Sequence, residues 1–146
     1  MYSSSGGGAE HVGQECLAAK VRRVHRVVVR IYDDALRSHG LTVAQLDLIA
    51  TLLDHGGAAR PSDLGRWLLM DRSTVTRNVE RLRRLGLVEC GPGANGREVE
   101  VRVTGEGRQL ADRSLAAWEQ AQGEVARLLG PDGVAALDLL TQRVST

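Results

Sequence analysis

Apolar residues return at every third or fourth position over long stretches of this chain, and that spacing predicts helices. Leu17, Val21, Val24, Val28, Ile31 and Ala35 mark one long amphipathic helix. Gly40 ends it, as a residue free to take the left-handed conformation. Thr42-Val-Ala-Gln45 is a capping box, which opens a second helix carrying Leu46, Leu48, Ile49 and Leu52 and closed by Gly56-Gly57. Ser62, after Pro61, is placed to cap a short third helix through Trp67 and Leu68. Asp71 is placed to cap a fourth, with Val75, Val79 and Leu82 as its buried stripe and Gly86 as its stop.

The period then changes. Leu87-Val-Glu-Cys90, a turn-rich Gly91-Pro-Gly-Ala-Asn-Gly96 and a strictly alternating Glu98-Val-Glu-Val-Arg-Val103 predict a two-stranded antiparallel hairpin with a loose tip. Thr104 is placed to cap a fifth helix, whose stripe is Leu110, Trp118, Ala121, Val125 and Leu128. Pro131, after Gly130, takes the first position of a last helix carrying Val134, Leu137, Leu140 and Val144. The expected fold class is mainly α with a small β-hairpin wing.

Length and composition narrow this further. A chain of 146 residues fits one domain, here residues 14–146, and the Gly- and Ser-rich residues 1 to about 13 read as a mobile arm. With no Phe, the core must be Leu, Val, Ala and Ile, with Trp67, Trp118 and Tyr32 as large anchors. Cys16 and Cys90 make no disulfide framework, and His11, His25, His39 and His55 lack metal-ligand spacing. No nucleophile, phosphate-loop or metal motif is present, so neither catalysis nor a cofactor or metal is expected. No apolar run approaches the roughly 18 residues of a membrane span, and the start lacks signal-peptide regions, so the expected location is cytoplasmic.

The net charge of +1 announces no partner, but its distribution is uneven. Lys20, Arg22, Arg23, Arg26, Arg30 and Arg37 of the first helix read as a solvated face. Residues 72–84 hold Arg72, Arg77, Arg81, Arg83 and Arg84 against one acid, Glu80. With Val75 facing the core, Arg72, Ser73, Thr76 and Arg77 turn outward and Thr74 lies at the margin. Two short helices and a hairpin describe a winged helix-turn-helix, whose second helix fits the major groove of DNA. Small hydroxyls permit close approach and arginines pair with guanine or phosphate. Ser62, at the head of the preceding helix, and Arg81 join this set of DNA-contact candidates. A solvated arginine-rich helix is the bland alternative, and the hairpin behind it favours DNA.

Gly40-Leu-Thr-Val-Ala-Gln45, Asp71-Arg-Ser-Thr-Val-Thr-Arg77, Leu85-Gly-Leu-Val88 and Val103-Thr104 with Gly107 resemble signatures of the MarR family in order and spacing, over about residues 15–144. The resemblance implies a winged helix-turn-helix at about 41–104, flanked by dimerisation helices at about 14–39 and 105–145. It implies a dimeric regulator, usually a repressor, of a roughly palindromic site on double-stranded DNA, often released by a small anionic or phenolic effector. Recognition-helix contacts map onto Arg72, Ser73, Thr74, Thr76 and Arg77, and the minor-groove arginine of the wing onto Arg97. The family usually has an Asp two positions before that arginine, where this chain has Asn95.

A dimer also follows from the residues. The first and last helices carry longer apolar stripes than a small winged helix covers, and a two-fold copy would bury them and match a palindrome. Two recognition helices would then sit about 34–36 Å apart to reach successive major grooves. Four residues are candidate sensors. Cys16, near a positive helix end, is a candidate redox switch. His25 and Tyr32 are candidates for a ligand crevice between the dimerisation helices and the reading head, as is Trp118. Cys90 is expected to be half-buried and structural. The competing functions are a cysteine-based redox regulator and a winged-helix protein-interaction module that does not read DNA.

Overall fold

The computed structural model describes residues 8–145. Its elements run α1 (Ala9–Glu15), α2 (Leu17–Leu36), a 3-10 turn (Arg37–His39), α3 (Val43–Asp54), β1 (Ala58–Ala59), α4 (Pro61–Leu68), α5 (Arg72–Arg84), β2 (Val88–Pro92), β3 (Val99–Val103) and α6 (Gly105–Val144). The fold is mainly helical with a small antiparallel sheet in the order β1-β3-β2.

Local chemistry places most boundaries where the sequence reading put them. The Thr42 hydroxyl accepts from the Gln45 amide at 3.2 Å while the Gln45 side chain accepts from the Thr42 amide at 3.0 Å, closing the capping box of α3. Asp71 accepts from the Thr74 amide at 2.8 Å and starts α5. Thr104 starts α6 and ties it to the wing: its hydroxyl accepts from the Gly107 amide and donates to the Gly86 carbonyl. A Cβ on Gly107 would lie 2.2 Å from the Leu87 carbonyl oxygen, so only glycine permits this approach of α6 to the residue preceding β2. Gly130, at φ 70° and ψ 168°, breaks α6 immediately before Pro131, and the chain re-enters helix there as expected.

The structure departs from these expectations in five places. The long first helix is interrupted at Cys16, whose ψ of 113° is extended, and α2 ends at Leu36, with a 3-10 turn between it and the left-handed Gly40. Residues 9–13, read as arm, lie in α1; the rest of that expectation falls on residues 1–7, outside the described residues. Ser62 does not cap α4. Arg60 is the N-cap and Pro61 the first helical residue, because a proline's fixed φ suits that position and holds its predecessor extended. The hairpin gains a third strand, β1, with Ala58 opposite Arg102 and Ala59 opposite Val101.

The core sits inside the segment from Leu36 to Val101. Leu36, Ile49, Leu52, Leu64, Leu82 and Val101 have no exposed surface and bring α2, α3, α4, α5 and β3 together. Each such side chain contributes about 1.5–3 kcal/mol of burial. Trp67 packs against this core and stacks on His55, centroid to centroid 3.6 Å. The outer parts of α2 and α6 are different: Leu17, Val21, Val24, Leu137 and Leu140 remain exposed.

Candidate nucleic-acid interface

Helices α4 and α5 meet at a turn formed by Leu69 and Met70. Leu69 takes the left-handed conformation at φ 53°, and the Met70 amide donates to the Gly65 carbonyl at 2.9 Å. Gly65 permits this closeness, since a Cβ there would lie 2.9 Å from the Met70 carbonyl oxygen. The turn presents α5 with Val75, Val79 and Leu82 inward. Arg72, Ser73, Thr76, Arg77 and Arg81 are exposed and Thr74 is half-buried, the distribution the periodicity implied.

The arginines of α5 fall into two groups. Arg83 and Arg84 are held by Glu80, at 2.7 and 3.3 Å, and the Glu80 carboxyl is lowered to about 2, first by the Arg83 hydrogen bond. Arg72, Arg77 and Arg81 have no salt bridge among the described residues. The hydroxyls beside them are engaged inward: Ser73 donates to Asp71 at 2.9 Å and Thr76 to the Arg72 carbonyl at 2.9 Å. Oriented so, they offer an incoming phosphate no proton, and the guanidinium groups are the available donors.

The wing is tied to this head. Arg60 donates to Asp63 at 2.9 Å and to Glu98 at 3.1 Å, and Arg66 donates to Asp63 at 2.9 Å. Hydrogen bonds to Asp63 and then Glu98 drive the Arg60 guanidinium further above its ordinary value, and the Arg60 bond holds the Asp63 carboxyl low. Arg60, Ser62, Arg66, Arg72, Glu98 and Val99 border a hollow of about 700 Å³ between α4, α5 and the wing. At the wing tip Arg97 is exposed, and its backbone amide donates to the Asn95 side chain at 3.3 Å. Asn95 thus organises the turn through the backbone.

A second hollow, of about 790 Å³, lies where α2, α3 and α6 meet. His25, Tyr32 and Trp118, three candidates separated along the chain, all line it. The Tyr32 hydroxyl donates to Gln122 on α6, and burial pushes the phenol up. Met70 of the α4–α5 turn borders this hollow and the one beside the wing.

Two cysteine expectations meet the structure differently. Cys16 is half-buried at the α1–α2 junction and is the N-cap of α2. Cys90 is exposed, not half-buried: β2 is an edge strand, and its outer half extends past the core that covers Val88. Desolvation still pushes its thiol up, against a smaller opposing effect of Arg83. No group of three or more potential metal ligands occurs among the described residues. No helix among them is long and apolar enough to cross a membrane.

Sequence reasoning missed Arg60, Asp63 and Glu98 of the wing clamp. The Arg60–Asp63 pair had the helical spacing that could have revealed it, whereas Glu98 lies 38 residues from Arg60. It also missed Met70, Asp47, Asp112 and Gln122 of the second hollow.

A short helix, a tight turn, an arginine-faced second helix and a clamped hairpin define a winged helix-turn-helix protein. The MarR family model matches residues 39–98. The chain is similar to the transcriptional regulator MosR of M. tuberculosis, at 31% identity and TM-score 0.75 over 90% of this chain and 97% of that one. It is similar to Bordetella bronchiseptica BpsR, whose DNA binding is regulated by 6-hydroxynicotinic acid, at 26% identity and TM-score 0.78 over 90% and 94% of the two chains. In fold it matches a cysteine-to-serine mutant of E. coli MarR complexed with operator DNA, at 24% identity and TM-score 0.78 over 91% and 96%. A comparison with curated proteins gives no match. The chain belongs to the MarR family, and is a DNA-binding transcription regulator rather than an enzyme.

Proposed function

We propose that the protein is a homodimeric repressor that reads a roughly palindromic operator and releases it when a small molecule binds. The observation that carries the reading is the row Arg72, Arg77 and Arg81, exposed on one helix and free of salt bridges among the described residues, beside a helix end whose arginines both pair with Glu80. A protein-interaction module has no need of that division. Arg72 and Arg77 supply the base and phosphate contacts, with Ser62, Ser73, Thr76 and Arg81 around them. Thr74 accepts from Arg77 at 3.4 Å and steadies it, and Arg97 reaches from the wing toward the minor groove.

Dimerisation is supported by the apolar residues left exposed on α2 and on both halves of α6. An interface that buries them sets the two reading heads as a pair, and two-fold symmetry selects a palindrome. Ligand response is supported by the hollow at α2, α3 and α6, with Met70 as the physical link to the reading head. A ligand that moves Met70 acts directly on the turn that aims α5.

The test is fluorescence anisotropy of the protein titrated onto DNA flanking its own gene, near physiological salt with scrambled competitor. Saturable binding that survives the competitor supports the reading. Binding no tighter than to scrambled DNA across that region counts against it.

A further inference from the structure

The hollow bounded by α2, α3 and α6 has a charge character opposite to that of the reading head. Asp33, Asp47 and Asp112 line it, and no Lys or Arg does, although α2 carries Arg22, Arg23, Arg26 and Arg30 elsewhere on its surface. One Asp33 oxygen is occupied, accepting from the Val43 amide at 2.7 Å. Asp47 and Asp112 have neither a hydrogen bond nor an ion pair among the described residues. Both residues are exposed at the rim of the hollow, and partial desolvation still pushes the Asp47 carboxyl up. The remaining walls include Val29, Leu53 and Leu115, the rings of His25, Tyr32 and Trp118, and Gln122, whose side-chain oxygen accepts from Tyr32.

We propose that this hollow binds an aromatic organic cation, an amine or quaternary ammonium carried on one or two rings, in preference to a carboxylate. The proposal rests on the reading of the hollow as the effector site and names the chemical class of its occupant. Its volume suits a ligand of that size. A cation gains from carboxylates that lack a counter-charge and from aromatic faces, where it is attracted to the ring quadrupole. An anion meets three carboxyl groups along the lining and finds no guanidinium or ammonium there, His25 being its one imidazole. The anionic effector implied by family resemblance is therefore disfavoured here, whereas a neutral phenol is not.

The test uses the full chain and charge-matched pairs of probes: 2-phenylethylamine against 3-phenylpropanoate, and 1-naphthylmethylamine against 1-naphthylacetate. Calorimetry gives each Kd near neutral pH, and anisotropy on bound DNA gives the release. Each amine is expected to bind at least about tenfold more tightly than its carboxylate. An Asp47→Asn/Asp112→Asn variant that keeps the wild-type circular dichroism and melting should lose that preference, and Trp118→Leu should weaken the amines. Carboxylates binding as tightly as amines, no binding of either below about 10 mM, or a preference unchanged in the double variant would each overturn the proposal. Amine binding that leaves DNA affinity unaltered upholds the cation site and removes its effector role. Preferential carboxylate binding that releases DNA does the reverse.

Discussion

The reading head and the helices that flank it are built from the same aliphatic residues, yet they are finished to different degrees. In the head, Leu52 of α3, Leu64 of α4 and Leu82 of α5 are fully enclosed within one chain. On the flanking helices, Leu17 keeps 75% of its surface exposed, Val21 65% and Leu140 50%. An aliphatic stripe of that length is stable in water only when something covers it. The head is therefore enclosed within one chain, whereas the flanking helices leave apolar surface uncovered, as the proposed dimer requires. In the proposed dimer the platform would set two heads at a fixed spacing, so that specificity would depend on both regions.

The largest effect that separates the two regions should come from the platform. Val21→Asp combined with Leu140→Asp replaces no enclosed residue, and should yield a monomer by analytical ultracentrifugation. DNA affinity should fall by about 100-fold or more, because the second half-site contact is no longer tethered to the first. A variant that stays dimeric and binds DNA normally would mean that this face is not the interface.

Inside the head the expected cost is one of stability. Leu52→Ala leaves a cavity in the enclosed core and should cost about 2–5 kcal/mol in urea unfolding. The same truncation at the exposed Leu137 should instead weaken dimerisation, so that more protein is needed to reach the wild-type melting temperature, the signature of an interface residue.

A finer contrast lies within α5. Arg77→Ala should cost about 1–3 kcal/mol of specific DNA binding if Arg77 reads a base. If it holds only a phosphate, binding should weaken on all sequences alike, with a shallower salt slope. Arg83→Ala should leave DNA affinity nearly unchanged, because Glu80 already occupies that guanidinium. The smallest effect concerns Glu80 itself. Its carboxyl is held at about 2, below its ordinary 4.5, so its contribution to stability is complete above that ordinary value and fades as pH falls toward 2. Glu80→Gln should flatten this part of the acid limb in thermal melts, and only slightly, since the pair is solvent-exposed.

The features legible in the chain share a short range. Caps at Thr42, Asp71 and Thr104, the break at Gly130-Pro131, and the outward row of α5 all arise from contacts within about four residues, so spacing reveals them. Ser62 shows how narrow the margin is: it has the right chemistry for a cap, but the proline before it starts the helix earlier. Cys90 shows the other failure. Alternation assigned it a face, but whether that face is covered depends on how far the core extends beneath an edge strand.

By itself the sequence determined the kinds of element, their order, the inward stripe of each helix and the placing of arginines on the reading face, because periodicity and nearest neighbours encode these. The tertiary structure alone decided that Ala58-Ala59 would become a strand, which it does by pairing with β3. It also decided that Arg60 would clamp the wing through Glu98, and that Tyr32 and Gln122, 90 residues apart, would meet across a hollow lined by aspartates. Such contacts join elements whose approach is set by packing of the whole core, and no local pattern of residues carries that information.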